Sequence, residues 1–151
     1  MKKIMIVDDD TTSVAIVKAL LETEFEVVGA NTGLEALGEL QRSPDLSLIL
    51  LDMVMPGASG MDVLKALKNS DNWFEIPVIF LTSLEGVNIE LEGFINGAAD
   101  FLQKPVNADL LRLKIKRQLF IQDLKMENQH LQKTLQLLHT RIDQVFDEVL
   151  Q

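Results

Sequence analysis

The sequence contains no cysteine, which excludes a disulfide frame, a zinc thiolate cluster and a thiol nucleophile. Positive charge is scarce: 14 Lys and Arg stand against 23 Asp and Glu, for a formal net charge of −9. A nucleic-acid surface needs a basic face, so direct nucleic-acid binding is not expected. A phosphate ligand fits this balance only through a metal ion or a local cation. Long apolar runs are missing as well. No stretch reaches the ~18 residues of a membrane span, and the four apolar residues after Lys2 and Lys3 are too few for a signal-peptide core. No membrane partner is expected, and a cytoplasmic location is the default. Residues Asn107 to Gln151 include neither Gly nor Pro, so one long helix is expected there.

What is present is a hydrophobic fraction of 47%, enough for a packed domain plus an appendage. Strand-like and helix-like runs alternate. Residues 3–7, 25–30, 46–51, 76–82 and 99–103 read as strands, and "TTSVAIVKALLETE", residues 32–43, 61–69 and 87–96 read as helices. Five strands separated by helices imply an α/β fold with a parallel sheet covered on both faces, because parallel strands need crossover connections. "LSLILL" is apolar without alternation, as a central strand buried on both faces should be.

In open α/β sheets the ligand site lies beyond the carboxyl ends of the strands. Three aspartates, Asp8, Asp9 and Asp10, follow the first strand; Asp52 ends the third; Thr82 and Ser83 end the fourth; Lys104 and Pro105 follow the fifth. Carboxylates converging from two strands suit a hard divalent cation such as Mg²⁺. A lysine and a hydroxyl beside that cation make a phosphoryl site, with donors for the remaining oxygens. Asp10, next to Thr11 and Thr12, reads as a helix cap instead of a ligand.

The acidic pair after the first strand, "LLDMVMPGASG" with Asp52, Met55, Pro56 and Gly60, "FLTS" and "GAADFLQKP" together resemble the receiver domain of bacterial two-component response regulators. The resemblance covers residues 1–120. It implies a flavodoxin-like doubly wound sheet of order 2-1-3-4-5. It implies Asp52 as phosphoacceptor from a sensor histidine kinase or phosphotransfer protein, in a Mg²⁺-dependent reaction. Asp9, Asp52 and the Val54 main-chain carbonyl would ligate the cation, with Asp8 acting through water. Thr82 would hydrogen-bond the acyl phosphate and Lys104 would pair with it, across a Lys-Pro bond that is usually cis in the family. Phe101 takes the aromatic switch position, although a plain core role looks the same in sequence. Val54 and Glu85 fall where family members tune hydrolysis.

A rival reading starts from Asp8-x-Asp10-x-Thr12, which also fits haloacid-dehalogenase-like phosphohydrolases with Asp8 as nucleophile and Asp10 as general acid. Those enzymes need a further acidic pair after the lysine, which this chain lacks, and Asp52 with its Met-Pro loop would go unexplained.

In the distal helix, residues 121–151, a heptad places Ile121, Asn128, Leu135, Ile142 and Val149 at a, and Leu124, Leu131, Leu138 and Val145 at d. Eight of these nine are branched aliphatics, a coiled-coil signature. Asn128 at a, with leucine prevailing at d, favours a parallel homodimer. Extended backwards, the frame meets Arg117 and Lys114, so the seam is not expected to reach the receiver. His130 and His139 fall at c and e, on the solvated face. The seam still runs at Gln151, so either a C-terminal output domain is missing from this chain or the protein works by partner binding alone, and no separate output enzyme is expected within it.

Overall fold

The computed structural model describes residues 1–84 and 86–151. Ten elements alternate as the sequence predicts: β1 Lys3–Val7, α1 Thr11–Leu21, β2 Glu26–Ala30, α2 Gly33–Arg42, β3 Leu46–Asp52, α3 Gly60–Lys68, β4 Val78–Thr82, α4 Val87–Ile95, β5 Asp100–Gln103 and α5 Ala108–Leu150. The five strands form one sheet in the order β2-β1-β3-β4-β5, and every pairing is parallel. This is the expected doubly wound, flavodoxin-like α/β arrangement.

Burial follows strand position. Ile4 to Val7 on β1 and Leu48 to Leu51 on β3 are fully enclosed, as are Val78, Ile79 and Phe80 on β4. The central strands therefore lack alternation because both of their faces are covered. Amphipathic helices supply the cover, with Val63, Leu64 and Leu67 of α3 turned to the sheet. Ser59 caps α3 in a reciprocal capping box with Asp62, and Thr32 caps α2 by accepting from the Glu35 N–H.

Of the three strands that start later than the apolar runs imply, β2 and β4 have a direct reason. Phe25 donates its N–H to the Leu21 carbonyl at 2.9 Å, closing the end of α1 before β2 begins. Pro77 has no N–H to give a ladder, so β4 begins at Val78, while the Pro77 carbonyl still accepts from Ile49 at 3.0 Å.

By its internal contacts the chain divides into two units, Met1–Gln118 and Leu119–Gln151. The first holds the sheet. In the second, every residue from 123 onward is exposed. Its apolar seam is bare in the single chain: Leu131, Leu135, Leu138 and Ile142 are each more than half exposed. Among the described residues no helix is long and apolar enough to cross a membrane.

Candidate functional site

Beyond the carboxyl edge of the sheet, the ends of β1 and β3 bring three carboxylates together. Asp8, Asp9 and Asp52 each offer an oxygen, and these oxygens all lie within 4.8 Å of one another. Asp8 and Asp52 are buried and Asp9 is exposed. Three hard oxygen donors at this spacing fit Mg²⁺, which takes one or two carboxylates and retains several waters.

Both Asp8 oxygens already have partners. Oδ1 accepts from the Asp10 N–H at 2.9 Å, and Oδ2 accepts from Lys104 Nζ at 2.7 Å. Lys104 lies 3.7 Å from Asp52 Oδ1, so its hydrogen bond belongs to Asp8 and its longer-range charge to Asp52. Among the described residues Asp52 accepts one long hydrogen bond, from Val54 N–H at 3.4 Å. Its carboxyl is pushed up to about 6, first by burial and then by the Asp8 charge, with the Lys104 ammonium pulling the other way. Burial by itself would lower Lys104, but the Asp8 hydrogen bond and both carboxylate charges outweigh it and hold the ammonium above its ordinary value. A carboxylate of raised basicity with few hydrogen bonds is suited to act as a nucleophile.

The third aspartate is spent elsewhere. Asp10 caps α1, accepting from Thr12 N–H at 2.9 Å and from the Ser13 hydroxyl at 3.1 Å. The first of these bonds is the chief reason its carboxyl lies below the usual range.

Thr82 ends β4 and is buried, yet its hydroxyl accepts from Leu84 N–H at 3.0 Å, so in this conformation it serves its own loop. Phe101 on β5 is buried, with its ring centroid 5.2 Å from Phe80 and 5.1 Å from Phe94. Gly93 of α4 makes room for that ring: a Cβ there would stand 2.8 Å from Phe101 Cε2. Val54 is exposed, the Lys104–Pro105 peptide is cis, and Glu85 lies outside the described residues.

The spacing from Asp52 to Gly60 has a steric reason. Gly60 donates to the Met53 carbonyl at 2.9 Å, and a Cβ on it would run into the Asp52 carbonyl and stand 2.7 Å from Met53 Cα. Only glycine lets the start of α3 lie against the main chain that presents Asp52.

A family model, the response regulator receiver domain, matches residues 4–116. The chain belongs to the response regulator receiver family. A probable cyclic di-GMP phosphodiesterase of Vibrio cholerae is 38% identical over 112 residues, covering 74% of this chain and 25% of that protein. Response regulator PleD of Caulobacter vibrioides is 37% identical over 116 residues, covering 76% and 25%. The transcriptional regulatory protein CpxR of Escherichia coli is 43% identical over 108 residues, covering 71% and 44%. The chain thus spans a quarter of the first two relatives and under half of the third. Among solved structures, the chemotaxis protein CheY4 of Vibrio cholerae superposes with a TM-score of 0.73 at 30% identity, covering 78% of this chain and 98% of that one. A receiver domain protein of Clostridium thermocellum gives a TM-score of 0.76 at 30% identity, covering 82% and 98%. This receiver therefore works in two-component phosphorelay signalling. The phosphohydrolase alternative is not supported by these matches, and the cap formed by Asp10 occupies the carboxylate that would serve as its general acid.

Two residues of the receiver had no pattern to reveal them in the sequence. Asn31, just after β2, donates from Nδ2 to the Asp8 carbonyl at 3.1 Å. Lys114, visible in the sequence only as a break in the heptad frame, donates to Asp100 Oδ1 at 3.0 Å and to the Phe101 carbonyl at 2.6 Å, tying α5 to β5.

Proposed function

We propose that Asp52 accepts a phosphoryl group from a phosphohistidine of a sensor kinase or phosphotransfer protein. An Asp52 oxygen attacks phosphorus, the P–N bond breaks, and the imidazole leaves with the bond's electron pair and takes up a proton. The observation that carries this reading is the convergence of Asp8, Asp9 and Asp52 beside Lys104 at the ends of three strands. Asp9, Asp52 and the Val54 main-chain carbonyl would hold Mg²⁺ directly. Asp8, whose two oxygens are engaged, would reach it through water. When bound, the cation screens the clustered carboxylates and neutralises charge on the phosphoryl oxygens.

Lys104 stands ready to shift from Asp8 towards the new dianion. Phosphorylation brings about −1.5 to −2 charge to the strand ends. The Thr82 hydroxyl, which accepts from Leu84 N–H and keeps its own O–H to give, would donate to the phosphoryl oxygens. Drawing it inward would open space for Phe101 to change its packing, a population shift between two arrangements.

Residues 1–120 form the receiver in this reading, and residues 121–151 form a parallel homodimeric coiled coil through Ile121, Leu124, Asn128, Leu131, Leu135, Leu138, Ile142 and Val145. The exposure of that seam in one chain is the supporting observation. The protein works in the cytoplasm and hands its signal to an output domain or partner. The chemistry of its own chain is limited to gaining and losing the phosphoryl group.

Labelling with acetyl phosphate and Mg²⁺ tests the site: Asp52→Asn should abolish acyl-phosphate formation and Asp8→Asn should only weaken it. The opposite pattern would overturn the assignment. Sedimentation equilibrium at low micromolar concentration should return a dimer. A monomer both with and without phosphorylation would sink the coiled-coil reading.

A further inference from the structure

Asp9 is the exposed member of the acidic cluster, so side-chain packing does not orient it and the main chain preceding it must. The last rung between β1 and β2 is the bond from Asp8 N–H to the Ala30 carbonyl at 3.0 Å. A continuing parallel ladder would next offer a main-chain N–H to the Asp8 carbonyl. The side chain of Asn31 makes that bond instead, at 3.1 Å. The Asp8 carbonyl and the Asp9 N–H share one planar peptide unit, so fixing the carbonyl fixes the plane from which Asp9 departs. On the other side of the same turn, Asp10 N–H donates to Asp8 Oδ1 at 2.9 Å.

Asn31 is itself held in place. Its N–H donates to Glu35 Oε2 at 2.7 Å, and Glu35 N–H donates to the Thr32 hydroxyl at 3.1 Å in the cap of α2. Support therefore runs from the start of α2 through Glu35 and Asn31 to the Asp8–Asp9 peptide.

We infer that Asn31 is a positioning residue for the divalent-cation site, setting the Asp8–Asp9 peptide so that the Asp9 carboxylate converges with those of Asp8 and Asp52. The inference rests on the metal reading of that cluster. Partners behind the ligands commonly alter metal affinity by 10–100-fold when removed. A rung that merely closed a sheet edge would alter stability and leave affinity alone.

Isothermal titration of Mg²⁺ into the full chain, paired with melting in EDTA, tells these apart. Asn31→Ala should raise the Mg²⁺ Kd about tenfold with the EDTA melting temperature within about 3 °C of wild type. Asn31→Gln keeps the amide donor with one methylene of slack and should recover part of the affinity. An Asn31→Ala Kd within about twofold of wild type overturns the inference, whatever happens to the melting temperature. If Asn31→Ala does not fold, Asn31→Gln carries the test: weakened binding supports the inference and wild-type affinity overturns it. A wild-type chain that binds no Mg²⁺ would overturn the metal reading and the inference with it. Wild-type binding with unaltered variants overturns the inference alone.

Discussion

Replacing Asp52 with asparagine measures what it costs to keep that carboxylate buried beside Asp8. The Asp52 carboxyl is pushed up to about 6 from an ordinary 3.8, chiefly by burial. Between those values the folded protein keeps a proton that the unfolded chain has released. The stabilisation from that proton is complete at pH values below 3.8 and is lost as pH rises through about 6. That upward displacement of the Asp52 carboxyl corresponds to about 3 kcal/mol. Losing the attraction between Asp52 and Lys104, 3.7 Å apart, offsets part of this and leaves a gain of roughly 1–3 kcal/mol for a neutral isostere. Lys104 keeps its 2.7 Å bond to Asp8, so the substitution does not strand a cation. In EDTA at pH 8, Asp52→Asn should exceed wild type by that amount, a rise in melting temperature of roughly 3–10 °C, and the gap should close towards pH 4. Urea unfolding followed through Trp73, the one tryptophan, reads this at a fixed protein concentration. No gain at pH 8, or an equal gain at both ends of the range, would refute the reasoning.

Three further substitutions have defined outcomes. Asp9→Asn removes one of the converging charges and should raise the melting temperature in EDTA by about 3 °C while weakening Mg²⁺ binding by titration; an unchanged or lower melting temperature would count against convergence. Gly60→Ala forces a methyl into the main chain of Asp52 and Met53 and should cost about 3 kcal/mol in urea unfolding, with slower acetyl-phosphate labelling. Asn128→Leu should stabilise the distal helix while mixing oligomeric states in sedimentation equilibrium, because a polar a residue fixes register at a cost in stability; a sole unchanged dimer would deny Asn128 that role.

Elements that rest on local pattern were legible in the sequence. The non-alternating run of β3 and the acidic strand ends follow from side-chain type and period. Asp10 could be placed as a cap because one oxygen acceptor before a helix suffices. Features that depend on two distant segments were not legible. Asn31 matters only because the end of β1 lies beside it, and an asparagine before a cap carries no such mark. Lys114 looked like a defect in the heptad frame, and its purpose appears only when β5 lies under α5. Gly93 and Phe101 sit on separate elements, so the glycine that admits the ring could not be matched to it from spacing. The Thr82 hydroxyl accepts from Leu84 N–H, a bond within the loop after β4 that neither strand nor helix periodicity reveals.

The central claim is that the phosphoryl group resides on Asp52. It is tested most directly by borohydride trapping, which reduces an acyl phosphate to the corresponding alcohol and leaves a homoserine at the modified position. After acetyl phosphate and Mg²⁺, peptide mass spectrometry should find that product at position 52 and not at 8, 9 or 10. Homoserine at position 8, or none anywhere in a folded, Mg²⁺-bound protein, would contradict the account.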